Sequence, residues 1–365
     1  MVYVSWSLLT TYVTLLASKS KPVYRQYFDL QGHRGGRGDA NENTLPSFAW
    51  GLISGVTTLE LDNGLTKDGV PVVWHDESIV AEKCQDTAPA FENDPDFPYV
   101  GKHIANLTLA QLKMLDCGSK RSNNFPLQLR YPGTKISTLR ELFEFARCAD
   151  PDHLILWNIE SKVNPVTPGA TRSGKDFVTK QHAEFIASGY DSSHITYQSF
   201  DWSTLIAMKA LDDRFPTSAL INDESLIVGD DETLPWLAGL RIEDFPGATV
   251  GAQIANAAKS IKADVLSPGA FYSNSTVNDP SLPGYTPFTT RDMVESAHEV
   301  GLTVIPWTVN RLNVADQLIS WGVDGIITDY PGIFHRWVVS KGLKAAPNFS
   351  QEDVLFCLQK HLQTV

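Results

Sequence analysis

The sequence predicts an α/β protein, a (β/α)8 TIM barrel with long loops on the C-terminal face. Short β-rich runs alternate with helical segments along most of the 365-residue chain, a pattern typical of βα units around a parallel sheet. The runs at 155–157 and 304–307 are apolar without interruption, as expected for strands buried on both faces. A chain of this length is compatible with one barrel domain.

The strand candidates number one more than an eight-stranded barrel needs. They are residues 27–33, 57–62, 70–75, 153–160, 194–199, 217–222, 264–268, 302–309 and 325–329. The surplus is expected within 57–75, where a Lys-Asp-Gly turn and no helix separates two β-rich runs. This segment can leave the sheet and re-enter it without a crossover helix.

Helical periodicity supports the same architecture and sets the predicted domain limits. The helices are expected at 45–54, 108–116, 138–148, 176–188, 202–211, 250–260, 290–300 and 311–321. We predict one barrel domain at 27–342, with a loop excursion at 77–107, followed by a terminal helix or tail at 343–365. Pro/Gly-rich loops follow residues 160 and 268; in a barrel they lie on the C-terminal face, where active sites are built.

The charge of the chain argues against a nucleic-acid partner. The formal net charge is −12, and no block of Lys or Arg occurs, whereas nucleic-acid binding needs a basic stripe. A small anionic substrate remains compatible, because a metal ion and a few local cations can reverse the field inside one cleft. Phe271-Tyr272 gives the only hint of membrane contact, and the sequence does not address the oligomeric state.

Acidic residues at two predicted strand ends suggest a metal site. Glu60 and Asp62 are two residues apart, so strand alternation places both side chains on one face. With Glu160 they offer three carboxylates for one hard divalent cation, Ca2+ or Mg2+. The alternative is that Glu60 and Asp62 form ion pairs with Arg34 or Lys162.

Histidines and cations at neighbouring strand ends suggest phosphoryl chemistry. His33 and His75 each close a predicted strand and are each followed by a charged residue, and imidazole titrates near neutrality. A lone histidine is more often structural, but two at neighbouring strand ends favour proton transfer. Arg34 and Lys162 suit phosphate contacts. Trp307 either stacks on a ligand or fills the barrel.

The N-terminal sequence allows two interpretations of the cellular compartment. Residues 2–17 are mostly apolar and end in a small residue, so 1–26 is interpreted as a signal peptide and lead-in of an extracellular, secreted protein. The run lacks a basic n-region, and a first strand or amphipathic lead-in of a cytoplasmic protein is the alternative.

The oxidation state of the four cysteines also has two interpretations. Cys84, Cys117, Cys148 and Cys357 allow three disulfide connectivities, and four reduced thiols are as plausible. In an oxidising compartment we expect pairing. Cys84 and Cys117 bracket the loop excursion, and a bridge from Cys148 to Cys357 would hold the tail against the outside of the barrel.

Many motifs in a fixed order resemble one known family. They are His-Arg-Gly at 33–35, Glu-Asn-Thr at 42–44, Glu-x-Asp at 60–62, Thr-x-Asp-Gly at 66–69 and His-Asp at 75–76, followed by NLTLAQLKMLDCG, STLRELFEFA, NIESK, YQSFDWSTL, VIPWTVN and GVDGIITDYP. Over roughly 28–333 the chain resembles the glycerophosphodiester phosphodiesterases, whose barrel is of the phospholipase-C-like phosphodiesterase type. Asn41 and Asn63-Gly64 depart from the family pattern without removing a catalytic group.

The resemblance implies a reaction and a role for each candidate residue. The reaction is metal-dependent hydrolysis of a small glycerophosphodiester to glycerol phosphate and an alcohol. The implied roles are general acid and base for His33 and His75, metal ligands for Glu60, Asp62 and Glu160, phosphate contacts for Arg34 and Lys162, support for Glu42 and Asn43, and pocket lining for Trp307. The alternatives are phospholipase C- or D-like cleavage of a phospholipid or lysophospholipid head group, and a non-catalytic ligand-binding barrel.

Overall fold

The chain folds into a parallel barrel surrounded by helices. The computed structural model describes residues 26–229 and 233–362, so all but the last residue of the predicted signal peptide lies outside the described part. The barrel strands are β1 (Asp29–Gly32), β2 (Thr58–Leu65), β6 (Leu156–Ser161), β7 (Ile195–Ser199), β8 (Thr217–Ile221), β9 (Val265–Pro268), β10 (Thr303–Val304) and β11 (Gly325–Thr328). The remaining strands are β3 (Pro71–Val73), β4 (Gln85–Asp86) and β5 (Leu115–Asp116).

The eight barrel strands confirm the predicted fold class. They pair in parallel in the order β10–β9–β8–β7–β6–β2–β1–β11. Backbone hydrogen bonds between residues 304–309 and 324–327 join the two end strands. The sheet therefore closes into a nearly complete barrel, although β10 itself is shorter than the predicted strand at 302–309.

The surplus strand lies where the sequence predicted it. β3 pairs antiparallel with β2, with Asn63 opposite Val73 and Leu65 opposite Pro71. The turn between these strands contains Gly69, whose φ is +77°, a conformation that suits glycine. The chain thus re-enters the sheet as a hairpin, without a helix.

The helices follow the predicted positions with two departures: the helix at Pro331–Ser340 was not predicted, and the helix predicted at 108–116 ends at Leu112 because Leu115–Asp116 forms strand β5. They are α1 (Leu45–Ile53), α2 (Leu109–Leu112), α3 (Leu139–Ala149), α4 (Gly174–Ser188), α5 (Trp202–Leu211), α6 (Val250–Ser260), α7 (Arg291–Glu299), α8 (Leu312–Ser320), α9 (Pro331–Ser340) and α10 (Gln351–Leu362). The pattern missed α9 because its opening Pro-Gly reads as a turn, yet proline suits the first helical turn. Among the described helices, none is long and apolar enough to cross a bilayer.

Two disulfides fasten the parts that extend from the barrel. Cys84–Cys117 closes residues 84–117, which include most of the 77–107 excursion, and the excursion packs into a small apolar cluster that is separate from the main core. Cys148–Cys357 joins α3 to α10, and the buried face of α10 belongs to the main core. Both pairings are the ones expected for an oxidising compartment, and the terminal segment is part of the folded domain.

Candidate active site

Polar side chains that end or follow the barrel strands meet at the C-terminal rim. His33 comes directly after β1, Lys162 after β6 and Asp329 after β11. His75 follows the short hairpin strand β3. Because parallel strands end on the same side of a barrel, the rim collects residues that are far apart in the sequence.

Glu60, Asp62 and Glu160 form one buried carboxylate cluster. Asp62 and Glu160 are register partners on β2 and β6, and Glu60 lies on the same face of β2 as Asp62. One oxygen of each carboxylate lies within 4.8 Å of the others, and no residue of the three is more than 5% exposed. Three oxygen donors at this spacing fit a hard divalent cation.

The pKa values of the cluster reflect its burial and the negative charges that lie close together in it. Burial raises the pKa of Glu60 well above its usual value, and the negative charge of Asp62 adds to the shift. Burial also raises the pKa of Glu160 to about 7. Burial acts in the same direction on Asp62, but the Arg34 guanidinium holds the pKa of Asp62 well below its usual range. A divalent cation would relieve the crowding of negative charge.

One of the alternative ion pairs, that of Asp62 with Arg34, is present beside the cluster, whereas Lys162 pairs with Glu160. Arg34 Nε lies 3.2 Å from Asp62 Oδ2, and Lys162 Nζ lies 2.8 Å from Glu160 Oε1. Arg34 is shared with Glu42 through its Nη1, at 2.7 Å. These two cations lie beside the carboxylates, where they are placed to contact an anion bound at the same rim.

His33 is oriented by a carboxylate from the last strand. Its Nδ1 lies 2.6 Å from Asp329 Oδ1, which leaves Nε2 for a reacting group. Burial lowers the pKa of His33, with Arg34 and Arg37 acting in the same direction, whereas Asp329 raises it. Asp329 is held in turn by Asn310 Nδ2 at 2.6 Å. Burial therefore favours the neutral imidazole, whereas the negative charge of Asp329 stabilises the protonated form.

His75 lines a cavity together with Glu160 and Lys162. Its Nδ1 is 3.2 Å from Asp76 Oδ1, and Asp76 also forms an ion pair with Lys83. Burial lowers the pKa of His75 to about 4, and the cations of Lys162 and Arg34 contribute. An anionic phosphate bound beside these cations would offset their charge and favour the protonated imidazole.

Glu42 forms ion pairs with three cationic side chains at the rim. Its carboxylate accepts from Arg34 Nη1 and lies 2.7 Å from Arg37 Nε and 2.6 Å from Lys83 Nζ. Burial opposes ionisation, but Arg34, Arg37 and Lys83 hold the pKa of Glu42 well below its usual range. Glu42 thus fixes the position of Arg34 from the side opposite the carboxylate cluster.

Asn43 holds the cluster from the start of α1. Its φ is +56°, and its Nδ2 donates to Asp62 Oδ2 at 2.7 Å. Thr44, rather than Asn43, is the N-cap of α1 and accepts from the backbone of Ser47. The amide of Asn43 is thereby free to orient Asp62.

A cavity of about 870 Å3 opens beside the site. His75, Glu160 and Lys162 line one part of it, and an aromatic wall contains Phe200, Trp236, Phe271 and Trp307. The Nε1 of Trp307 donates to Ser267 O at 2.9 Å, so the indole is anchored to the barrel and also lines the cavity. His33 does not line this cavity.

The structure brings the predicted site residues together and adds others that were not predicted as site residues. Gln198, at the end of β7, donates to Glu60 Oε1 at 2.8 Å, and Asp329 orients His33. Both are polar residues at strand ends, which is the signal that could have selected them. Trp236 lies in a loop between β8 and α6, and nothing in its local sequence indicates its contact with the site. The roles of the individual residues remain predictions.

Comparison with known proteins identifies likenesses over most of the chain. The model of the glycerophosphoryl diester phosphodiesterase family matches residues 33–333. A glycerophosphodiester phosphodiesterase of Bacillus subtilis is 26% identical over 85% of each chain. A solved structure from Silicibacter pomeroyi, whose name carries the same family designation, is 27% identical with a TM-score of 0.67, covering 87% of this chain and 95% of the other. An Oleispira antarctica phosphodiesterase solved with its product sn-glycerol-3-phosphate is 19% identical with a TM-score of 0.60, covering 87% and 98%.

Proposed function

Because the chain belongs to the glycerophosphoryl diester phosphodiesterase family, we propose that it hydrolyses glycerophosphodiesters with one divalent cation and the pair His33 and His75. Membership in this family identifies the chain as a phosphoric diester hydrolase. The alternative of a non-catalytic ligand-binding barrel is thereby excluded. The proposal concerns the metal, the two histidines and the small-molecule substrate. Its main support is the buried cluster of three carboxylates flanked by both histidines and by Arg34 and Lys162.

Glu60, Asp62 and Glu160 would hold the cation, either Ca2+ or Mg2+. The bound cation would supply positive charge for the non-bridging phosphate oxygens and the charge that develops on them. Arg34 and Lys162 contact the same oxygens from the protein side, Arg34 with its planar fork and Lys162 as a point charge. Gln198 and Asn43 keep two of the carboxylates in place through the hydrogen bonds described above.

The surroundings of His33 and His75 support different roles for them in proton transfer. His33 starts neutral and takes a proton from the attacking hydroxyl. If that hydroxyl is a water, glycerol phosphate forms directly; if it is a neighbouring hydroxyl of the substrate, a cyclic phosphate forms first and water then opens it. Asp329 then stabilises the imidazolium, as a carboxylate does beside a general base. His75 borders the large cavity where an alcohol has room, so it gives its proton to the departing oxygen.

Hydrolysis of a panel of soluble glycerophosphodiesters tests this proposal. We expect glycerol phosphate and a free alcohol in the presence of Ca2+ or Mg2+, and no turnover in excess EDTA. Restoration by one of the two cations would identify the preferred metal. Full turnover in EDTA would exclude the metal-dependent mechanism, and turnover only on intact or lysophospholipids would favour the phospholipase alternative.

We also propose that the chain is secreted. Two disulfides and an apolar run at residues 2–17 support this proposal, because disulfides persist in oxidising compartments and are rare in the cytosol. The alternative is a cytoplasmic protein in which the same cysteines stay reduced.

A further inference from the structure

We propose that the cavity beside His75 selects an alcohol that carries a quaternary ammonium group. The aromatic rings of Phe200, Trp236 and Trp307 would surround the cation, and the carboxylate of Glu224 would complement its charge. This inference rests on the proposed function, since it names the substrate class of the same site. It makes Trp236 and Glu224, which lie outside the family motifs, residues that determine specificity.

The three rings form a wall with faces in different directions. The centroids of Phe200 and Trp307 are 5.4 Å apart with an interplanar angle of 89°, and those of Phe200 and Trp236 are 6.4 Å apart at 81°. All three line the cavity. Because the rings meet nearly at right angles, none covers the face of another by flat stacking. Ring faces attract cations, tryptophan most strongly, and cages of such rings bind quaternary ammonium groups.

The wall is anchored to the barrel on two sides. Phe200 comes directly after β7, and Trp307 is held by the hydrogen bond from its indole to Ser267 O at 2.9 Å. Trp236 lies in the single helical turn Pro235–Leu237, where the neighbouring Leu237 is fully buried. A wall that is in place before the ligand arrives loses less entropy when it binds.

The charges around the cavity match a zwitterionic diester. Lys162, which belongs to the phosphate end, has its Nζ 5.6 Å from the centroid of Phe200. The aromatic wall therefore begins next to the place where the phosphate is proposed to bind. Glu224 also lines the cavity, and no ion pair of its carboxylate occurs among the described residues. Lys162 thus attracts an anion, and the carboxylate of Glu224, whose short helical turn contacts the turn that contains Trp236, attracts a cation.

The chemistry of the wall favours a quaternary over a primary ammonium. A primary ammonium is strongly hydrated and needs acceptors for its N–H groups when water is removed. The carboxylate of Glu224 could accept one N–H of a primary ammonium, but the rings of Phe200, Trp236 and Trp307 offer no strong acceptors for the others. A trimethylammonium group has no N–H to satisfy and presents methyl groups to the rings, so contact with the wall costs it less.

The first test compares two substrates that differ only in charge. The substrates are glycerophosphocholine and the glycerophosphodiester of 3,3-dimethylbutanol, in which carbon replaces the nitrogen. We expect kcat/KM to be about tenfold higher for the charged substrate, the scale of one favourable cation–π contact. Equal values, or a preference for the neutral isostere, would overturn the inference. Failure to hydrolyse either substrate with Ca2+ or Mg2+ would instead contradict the proposed function.

The second test assigns the preference to residues. Trp236→Leu keeps an apolar side chain but removes the ring, and Glu224→Gln removes one charge. Each should lower kcat/KM for glycerophosphocholine by about threefold to tenfold and change the value for the neutral isostere much less. Glu243→Gln, an exposed substitution in the same loop but outside the cavity, and Phe356→Leu, on the exposed face of α10, are the matched controls.

Two results of the second test would contradict the inference. If the variants lose the same factor on both substrates, Trp236 and Glu224 only shape the cavity and do not recognise charge. If diesters of long-chain alcohols react faster than both substrates, the wall serves an apolar chain instead of a cation.

Discussion

His33 Nδ1 lies 2.6 Å from Asp329 Oδ1, although the two residues are 296 positions apart in the chain. His33 follows the first strand of the barrel and Asp329 follows the last, and these strands pair in parallel with Gly32 opposite Thr328. The contact therefore depends on the pairing of β1 with β11. In the proposed mechanism, proton transfer by His33 depends on this pairing, because Asp329 fixes the orientation of the ring.

The substitution Asp329→Asn should lower kcat by about 10², within the usual range for a proton-transfer group. The uncharged amide that replaces the carboxylate would not stabilise the imidazolium of His33. Because Asp329 raises the pKa of His33, its loss should also lower that pKa further. The acid limb of the kcat/KM profile, along which activity rises as the base loses its proton, should move to lower pH. Steady-state kinetics across the pH range measure both effects.

The same strand supplies a matched control. Asp324, just before β11, lies with its Oδ2 2.9 Å from His298 Nε2, so it forms another His–Asp pair at the opposite end of the barrel. Asp324→Asn should leave kcat and the pH profile nearly unchanged. Equal losses in the two variants would mean that Asp329 acts through stability and not by positioning His33.

The histidines themselves should be more sensitive than their partners. His33→Ala and His75→Ala should each lower kcat by roughly 10²–10⁴, the scale for a positioned acid or base. Neither residue belongs to the carboxylate cluster, so cation binding measured by calorimetry should persist in both variants. A variant that keeps wild-type kcat at every pH would show that its histidine is structural. His298→Ala, which removes an exposed histidine far from the rim, is the control.

The repeating βα units are the part of the fold that could be predicted from the sequence. Each βα unit gives a buried apolar run followed by a helix, and the polar residue at the end of each strand stands out against it. For this reason Glu60, Glu160 and His33 could be selected from the sequence. The antiparallel return at β3 could be predicted as well, because its turn residues leave no room for a helix.

The unpredicted part depends on contacts between distant segments. The aromatic wall joins Trp236 to Phe200 and Trp307, and no local pattern places a loop tryptophan beside two strand ends. The contact between Asp329 and His33 could not be predicted for the same reason, although the sequence shows each of them as a polar residue at a strand end. Helix α9 was missed because a Pro-Gly pair is typical of a turn, although proline also suits the first turn of a helix.

Ca2+ or Mg2+ should stabilise the folded protein through the carboxylate cluster. A ligand that binds only the native state stabilises it by about 2.7 kcal/mol at a concentration one hundred times its Kd. The melting temperature should therefore rise with added cation and fall back in EDTA. Asp62→Ala should abolish this response, whereas Glu299→Gln, an exposed substitution outside the cluster, should keep it. A response that persists in Asp62→Ala would place the cation elsewhere.

The two disulfides should contribute unequally to stability. Cys148–Cys357 spans 209 residues and Cys84–Cys117 spans 33. In the chain-entropy model these spans correspond to about 5 and about 4 kcal/mol, as upper values. Cys148→Ser with Cys357→Ser should lower the denaturation midpoint more than the pair at Cys84 and Cys117. The reverse order would mean that local order in the excursion, and not restriction of the unfolded chain, dominates.

The last prediction concerns the compartment in which the chain works. If residues 1–26 are removed during secretion and the chain meets an oxidising environment, all four cysteines should be paired in protein isolated from its native source. The distances within the folded chain favour this state, since both cysteine pairs are bonded without rearrangement of the fold. Mass spectrometry of alkylated, non-reduced protein should then find no labelled thiol, and the mature N-terminus should begin near residue 27. Four labelled cysteines on a chain that still begins at Met1 would support the cytoplasmic alternative, because reduced thiols and an uncleaved leader are both expected there.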